Sequence, residues 1–205
     1  MKTLRALYRG LEALYAADTG IDPADHVHLF RAGEGRGREL LVIREEEGGD
    51  LEVALALDAA SLERLEAGGA ARALDDAALG DALPVIEGLS HLLYLAEAAR
   101  RERRISGLEL ETQAEVDKLA LCLLHRHGRA HQEFAGLCER LFHRFTLASD
   151  LSPELRERYE AANRLALAFA RRMEGAVREG RWSWVRRALQ RFWIGDLGEK
   201  IAMGR

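Results

Sequence analysis

Leu4, Leu7, Leu11 and Leu14 recur at three- and four-residue intervals with Tyr8 and Tyr15 beside them, which predicts an amphipathic helix over residues 1–17. Gly20 and Pro23 stop it. From Asp25 to Asp58 the apolar period changes to two. His26–Arg31 reads as a short strand. Arg38–Glu45 reads as a central strand, because Leu40, Leu41, Val42 and Ile43 are apolar on both faces. Leu51, Val53, Leu55 and Leu57 alternate with Glu52, Ala54, Ala56 and Asp58, the pattern of a one-faced strand. The connections at 33–37 and 47–50 are short and glycine-bearing. Together these segments predict a three-stranded antiparallel meander, its open face covered by the N-terminal helix.

Beyond Asp58 every periodic segment has the helical spacing. The boundaries fall at 59–67, weakly at 74–81, and then at 84–101 with Pro84 opening the segment. Ser106-x-x-Glu109 is a capping box in front of 107–127, which Gly128 ends. A helix at 130–147 follows. Ser152-Pro153 starts another that reaches about 178, and Trp182–Ile194 with a terminal turn completes the chain. The expected fold is therefore α+β: a small three-stranded antiparallel sheet with an N-terminal helix (residues 1–82), then a larger helical bundle (83–205). The boundary lies in the acidic, small-residue stretch around 68–83.

The helix 107–127 is apolar around almost its whole circumference, as a central, buried helix would be. Yet Glu111, Glu115, Lys118, Cys122 and His125 fall on one narrow line along it. The preceding helix carries an analogous line of Glu87, His91 and Tyr94, and Tyr159 and Asn163 lie four apart on the helix from 153. If these lines face one another, burial sets opposed pKa shifts among carboxylates, imidazole and ammonium, which is how acid–base sites arise. Glu87 or Glu115 would serve as base, His91 as proton shuttle and Lys118 as electrostatic partner, with Glu111 beside them and Tyr94, Tyr159 and Asn163 as binding groups. The same groups suit metal ligation, although Glu87-x-x-x-His91 lacks the Glu-x-x-His interval of dinuclear bundle sites. If the ridge instead faces water, it is an ordinary solvated face of weak ion pairs.

Other motifs lead nowhere. The glycines at 33–37 join two strands, whereas a phosphate cradle needs a strand-to-helix turn. In Gly88-Leu89-Ser90-His91-Leu92 the serine and histidine project about 100° apart on a helix, so they cannot form a hydrolase pair. His26 with His28, and His127 with His131, read as surface histidines. Cys122 and Cys138 have neither a C-x-x-C nor a zinc spacing and read as reduced thiols. An antiparallel pairing of their helices would leave a redox-sensitive bridge open. No cofactor and no metal signature is assigned.

Composition narrows the class without naming a reaction. The chain of 205 residues is 48% hydrophobic and 31% charged, with a formal net charge of −4, which excludes a disordered chain and gives no overall basic character to suit nucleic acid. The charge is uneven: residues 1–82 carry 9 Lys+Arg against 17 Asp+Glu, net −8, and residues 83–205 carry 21 against 17, net +4. Such asymmetry draws the two halves together. Arginine dominance, 27 Arg to 3 Lys, together with abundant alanine fits a GC-rich bacterial genome. No apolar run approaches the ~20 residues of a membrane span, and the expected location is the cytoplasm.

Residues 164–191 hold eight arginines against Glu174 and Glu179. Trp182, Val185, Ala188, Leu189, Phe192 and Trp193 gather on one arc there, predicted to dock on the body of the protein, with the arginines outside it. Arg181, Trp182, Trp184, Arg187 and Arg191 are the expected partner-contact residues. The first functional expectation is a protein-interaction or regulatory module that self-associates or binds a protein partner, with no membrane. On that view, removing 181–205 leaves the rest folded. The alternative is an enzyme, or a small-ligand or metal binder, using the Glu/His/Lys ridge. Nucleic-acid binding through the arginines and indoles of 164–191 is a third reading, ranked last.

Overall fold

The N-terminal leucine stripe forms helix α1 (Lys2–Tyr15), which buries Leu4, Leu7, Leu11 and Leu14 and closes on Ala16 in the left-handed region, φ 52°. In the structure, a computed structural model, residues 1–31, 33, 37–45 and 51–205 are described. A short 3₁₀ turn at Pro23–His26 leads into three strands, β1 (Val27–Phe30), β2 (Glu39–Glu45) and β3 (Leu51–Asp58). The stretches 34–36 and 46–50, with Gly35, Gly48 and Gly49 of the loops read as hairpins, lie outside the described residues.

The sheet is mixed, not an antiparallel meander. Its order is β1-β3-β2, with β2 antiparallel and β1 parallel to β3. Alternation in a sequence fixes which face a residue takes but says nothing about neighbour order or direction. β3, with its fully buried Leu55 and Leu57, takes the centre. β2 is an edge strand despite its apolar content, and Leu40 and Val42 on its outer face are 59% and 45% exposed. The register Glu39↔Leu57 and Leu41↔Leu55 puts Glu39 on the buried face beside the core leucines.

That face is covered by α3 (Leu79–Arg100), with α2 (Ala59–Gly68) alongside, rather than by α1. α1 lies instead against α3, α4 (Gly107–His125) and α7 (Trp182–Ile194). α3 begins five residues before Pro84. The proline removes the amide that would have paired with the Gly80 carbonyl, and Arg38 Nη1 approaches that oxygen at 3.5 Å. Of the segment read as a weak helix at 74–81, residues 74–78 form turns that follow a 3₁₀ turn at Ala70–Arg72, and 79–81 are the start of α3.

α4 is the central helix that its all-round apolarity implies, capped by Ser106 Oγ accepting from the Glu109 amide at 3.1 Å. The reciprocal half of the capping box is not made. The Glu109 carboxylate is taken by Tyr94, whose hydroxyl donates at 2.6 Å, and by Arg103 at 2.9 Å. After α5 (Ala130–Cys138) the chain passes through a π-helical turn at Glu139–His143, so the helix read as 130–147 ends early. α6 (Pro153–Arg178) and α8 (Leu197–Gly204) complete the bundle.

α7 docks through the expected arc, burying Val185, Leu189, Phe192 and Trp193. Trp193 stacks on Tyr15 at 4.3 Å and meets Tyr94 edge-on at 4.8 Å, joining the first and last parts of the chain. Among the described residues no helix is long and apolar enough to cross a membrane.

Candidate functional site

The inward side of the α3–α4 pair carries the polar ridge. Glu87 and His91, four apart, share one face of α3; Glu111, Glu115 and Lys118 line the facing side of α4. Lys118 Nζ donates to Glu87 Oε2 and to Glu115 Oε1, both at 2.7 Å. His91 is 3% exposed and lies between two carboxylates, with Nδ1 3.4 Å from Glu39 Oε1 and Nε2 3.2 Å from Glu111 Oε2. The two atoms form an ion pair, but neither His91 Nε2 nor Glu111 Oε2 has a hydrogen-bond partner.

Two further groups come from outside the ridge. Glu39 reaches His91 because Gly88 lets the sheet close on α3: a methyl there would lie 2.3 Å from Leu55 Cδ1 and 3.0 Å from Glu39 Cγ. Arg158, from the first turns of α6, places its Nε 3.8 Å from Glu111 Oε1. It fits over the start of α4 because residue 107 is glycine, where a methyl would lie 2.5 Å from Arg158 Nη1. Glu39 had no legible signal, because β2 reads as apolar on both faces and its register is not written in its own sequence. Nothing in the spacing of α6 singles out Arg158 from its neighbours.

The electrostatics follow from burial against pairing. Burial pushes the Lys118 ammonium down, but Glu115 and Glu87 outweigh it and hold the lysine above its ordinary value. Burial also disfavours the His91 imidazolium, yet Glu111 and Glu39 reverse this and raise its pKa to about 10. Glu87 ends lowered, since Lys118 and His91 overcome its burial, whereas Glu115 ends raised by burial with Glu87 adding to it. Glu39 is raised by burial despite His91. The phenol of Tyr159 is held neutral by burial and by the fields of Glu87, Glu111 and Glu39. Neighbouring carboxylates shifted in opposite senses are the pattern that acid–base chemistry requires.

These side chains form the floor of a cleft of about 2240 Å³. It is bounded by β2, the start of α3, α4, the π-helical turn, the 144–151 segment and the start of α6. Tyr159 lines it, and Asn163 is buried one turn further along α6 with its Nδ2 unpartnered.

The remaining ridge residues go elsewhere. Tyr94 belongs to the Glu109–Arg103 group under Trp193. Cys122 is wholly buried, its thiol pushed up to about 12 by burial, and both cysteines are free. His125 pairs with Asp75 at 2.9 Å. Ser90 donates to Asp117 at 2.6 Å, far from being a partner of His91. Of the histidines read as surface groups, His127 lies tilted against Trp182 with ring centres 4.4 Å apart, and the half-buried His26 meets the Val53 carbonyl through Nδ1 at 3.0 Å.

A second buried polar group has no counterpart in the sequence reading. Asp117, on α4, accepts from Tyr15, Ser90 and Gln113. Lys200, on α8, donates to Gln113 Oε1 at 2.6 Å and to the Phe192 carbonyl. The i,i+4 pair Gln113/Asp117 inside an apolar helix was the available signal; Lys200 gave none. With its donors and acceptors paired and the cleft not reaching it, this group is structural.

No family model, no curated protein and no solved structure matches the chain.

Proposed function

We propose that the protein binds a cationic ligand at the floor of the cleft, and that this site, rather than an exposed docking face, carries its function. The supporting observation is the charge gathered there. Four carboxylates gather there, Glu39 and Glu111 on either side of His91 and Glu87 and Glu115 on Lys118, and the fixed cations touching them are Lys118 and Arg158. Counting His91 as the imidazolium that Glu111 and Glu39 favour, the four carboxylates still outnumber the three cations by one. Buried charge of one sign is costly unless it is paired, and an incoming cation completes the pairing. Glu87, His91, Glu111 and Lys118 hold the ligand or its partners, and Glu115 and Tyr159 close the floor around it.

The test is thermal unfolding of the full chain with MnCl2, with spermidine and with sodium phosphate. A rise in melting temperature with either cation and none with phosphate is expected, and Glu111→Gln should remove it while leaving the circular dichroism spectrum unchanged. Indifference to both cations overturns the reading. The two free thiols suit a reducing compartment, which supports a cytoplasmic location.

A second reading, contact with a protein partner or a second copy through α7, is favoured by one observation. Trp184 is 38% exposed with the Arg181 guanidinium 5.8 Å from its ring, and Arg187 and Arg191 point outward beside it. Aromatic and arginine side chains exposed together are typical interface anchors. A Trp184→Ser, Arg187→Glu variant should sediment as a smaller species than the wild-type chain if this reading holds; unchanged sedimentation removes it.

A further inference from the structure

Resting on the cation-binding reading, we infer that the ligand is a single divalent first-row transition metal ion held by His91 Nε2, Glu111 and Glu87. One ligand atom from each of these residues lies within 4.8 Å of the others. Metal–ligand distances of about 2.0–2.2 Å place such atoms up to about 4 Å apart, so closure by less than about 1 Å completes the site. The three side chains come from two packed helices, Glu87 and His91 from one turn of α3 and Glu111 from the facing side of α4, so the backbone already fixes the constellation.

The state of the ligand atoms points the same way. His91 Nε2 and Glu111 Oε2 are buried, 3.2 Å apart and without hydrogen-bond partners. An ion between them gives both atoms the partner that their hydrogen-bond geometry does not supply. Glu39 stands behind the imidazole, its Oε1 3.4 Å from Nδ1. Carboxylates so placed hold the Nδ1 proton of a metal-bound histidine, which turns the Nε2 lone pair toward the ion. Lys118 occupies one oxygen of Glu87 and also ties down Glu115, so the Glu87 carboxylate is oriented by a partner that is itself fixed.

The donor set selects the ion. Magnesium and calcium take oxygen ligands, whereas an imidazole with carboxylates suits manganese, iron or zinc. One histidine and two ligating carboxylates suffice for one ion, and three protein ligands leave positions open toward the cleft for water or an oxygen-bearing molecule.

Isothermal titration of the full chain, stripped with a chelator and then dialysed free of it, with MnCl2 and with ZnCl2 should show one site per chain, and MgCl2 should give no comparable heat. Glu39→Gln, which removes no ligand, should weaken binding about 10–100-fold, and His91→Ala should weaken it further. Co²⁺ substitution should give visible d–d absorption that is lost in His91→Ala. Where His91→Ala fails to fold, Glu39→Gln and the cobalt spectrum of the wild-type chain decide the matter. Zinc or manganese bound equally well by the Glu39 and His91 variants overturns the assignment. Spermidine binding without metal binding overturns the metal and leaves the cation-binding cleft standing, whereas failure of both removes both.

Discussion

Gly88 sets how closely α3 approaches the sheet, and with it whether Glu39 reaches His91. A methyl 2.3 Å from Leu55 Cδ1 cannot be absorbed by rotating a leucine that is fully buried, and the next atom met is Glu39 Cγ at 3.0 Å. Overpacking of this kind costs about 1–3 kcal/mol. Gly88→Ala should therefore lower the denaturant midpoint by a corresponding amount and weaken metal binding by separating Glu39 from the imidazole; an unchanged midpoint would mean that the sheet retreats freely. Lys200 makes a different prediction. Burial lowers its pKa from 10.5 to about 7, against Glu109, Asp117 and Asp196, which raise it, and with Arg103, which lowers it. Because the folded value lies below the unfolded one, the stability linked to the neutral amine is complete above about 10.5 and is lost as pH falls through about 7. Between pH 7 and 9.5 stability should rise with pH, by at most about 1.4 kcal/mol per unit. Lys200→Met should flatten that rise, which urea titrations at several pH values will show.

At the scale of elements, the parts of the fold legible in the sequence are those that a single element decides alone. α1, α4, α6 and α7 follow from their apolar stripes and from Ser106, Ser152 and Pro153, because a cap and a periodicity are local facts. The inward ridge on α4 was legible as five residues on one line; Lys118 and Glu111 do meet Glu87 and His91, and Glu115 is tied to Lys118. Its direction was not legible, because a ridge of this kind reads the same whether it faces water or another helix. The parallel placement of β1, the covering of the sheet by α3 and the arrival of Glu39, Arg158 and Lys200 are decided between elements, where spacing carries no information. α7 and α8 correct a further expectation. Residues 181–205 do not form a detachable arm: they bury Phe192, Trp193 and Lys200 in the core, and Arg186 and Gln190 donate to the Ala13 and Leu14 carbonyls at 2.9 and 2.8 Å. Removing two buried aromatics costs about 3–5 kcal/mol each. A chain ending at 180 should lose its cooperative thermal transition in circular dichroism, whereas the surface variant Trp184→Ser should keep it.

At the scale of the whole molecule, the acidic first part and the basic remainder meet through Asp76, which bridges Arg126 and Arg140 at 3.0 Å each, through Asp75 with His125, and through Glu39 with His91. An exposed pair such as Asp76–Arg140 contributes about 0–1 kcal/mol. The main bond between the two parts is thus the single core that runs from Leu4 and Leu11 through Leu55 and Leu57 to Phe192. The proposed metal site lies across the same junction, with its supporting carboxylate on β2 and its ligands on α3 and α4. An ion bound there stabilises the folded chain and not the unfolded one, so at about 100 times its dissociation constant it adds about 2.7 kcal/mol. For a chain of this size each kcal/mol moves the melting temperature by about 2–4 °C, giving an expected rise of about 5–11 °C with MnCl2 that excess chelator reverses. Glu39→Gln should retain only part of that rise, because it weakens the ion's hold without removing a ligand, and His91→Ala should retain none. A rise of equal size in the His91 variant would place the ion elsewhere, and the four carboxylates beneath the cleft would then be left balanced by protons and by Lys118 and Arg158 alone.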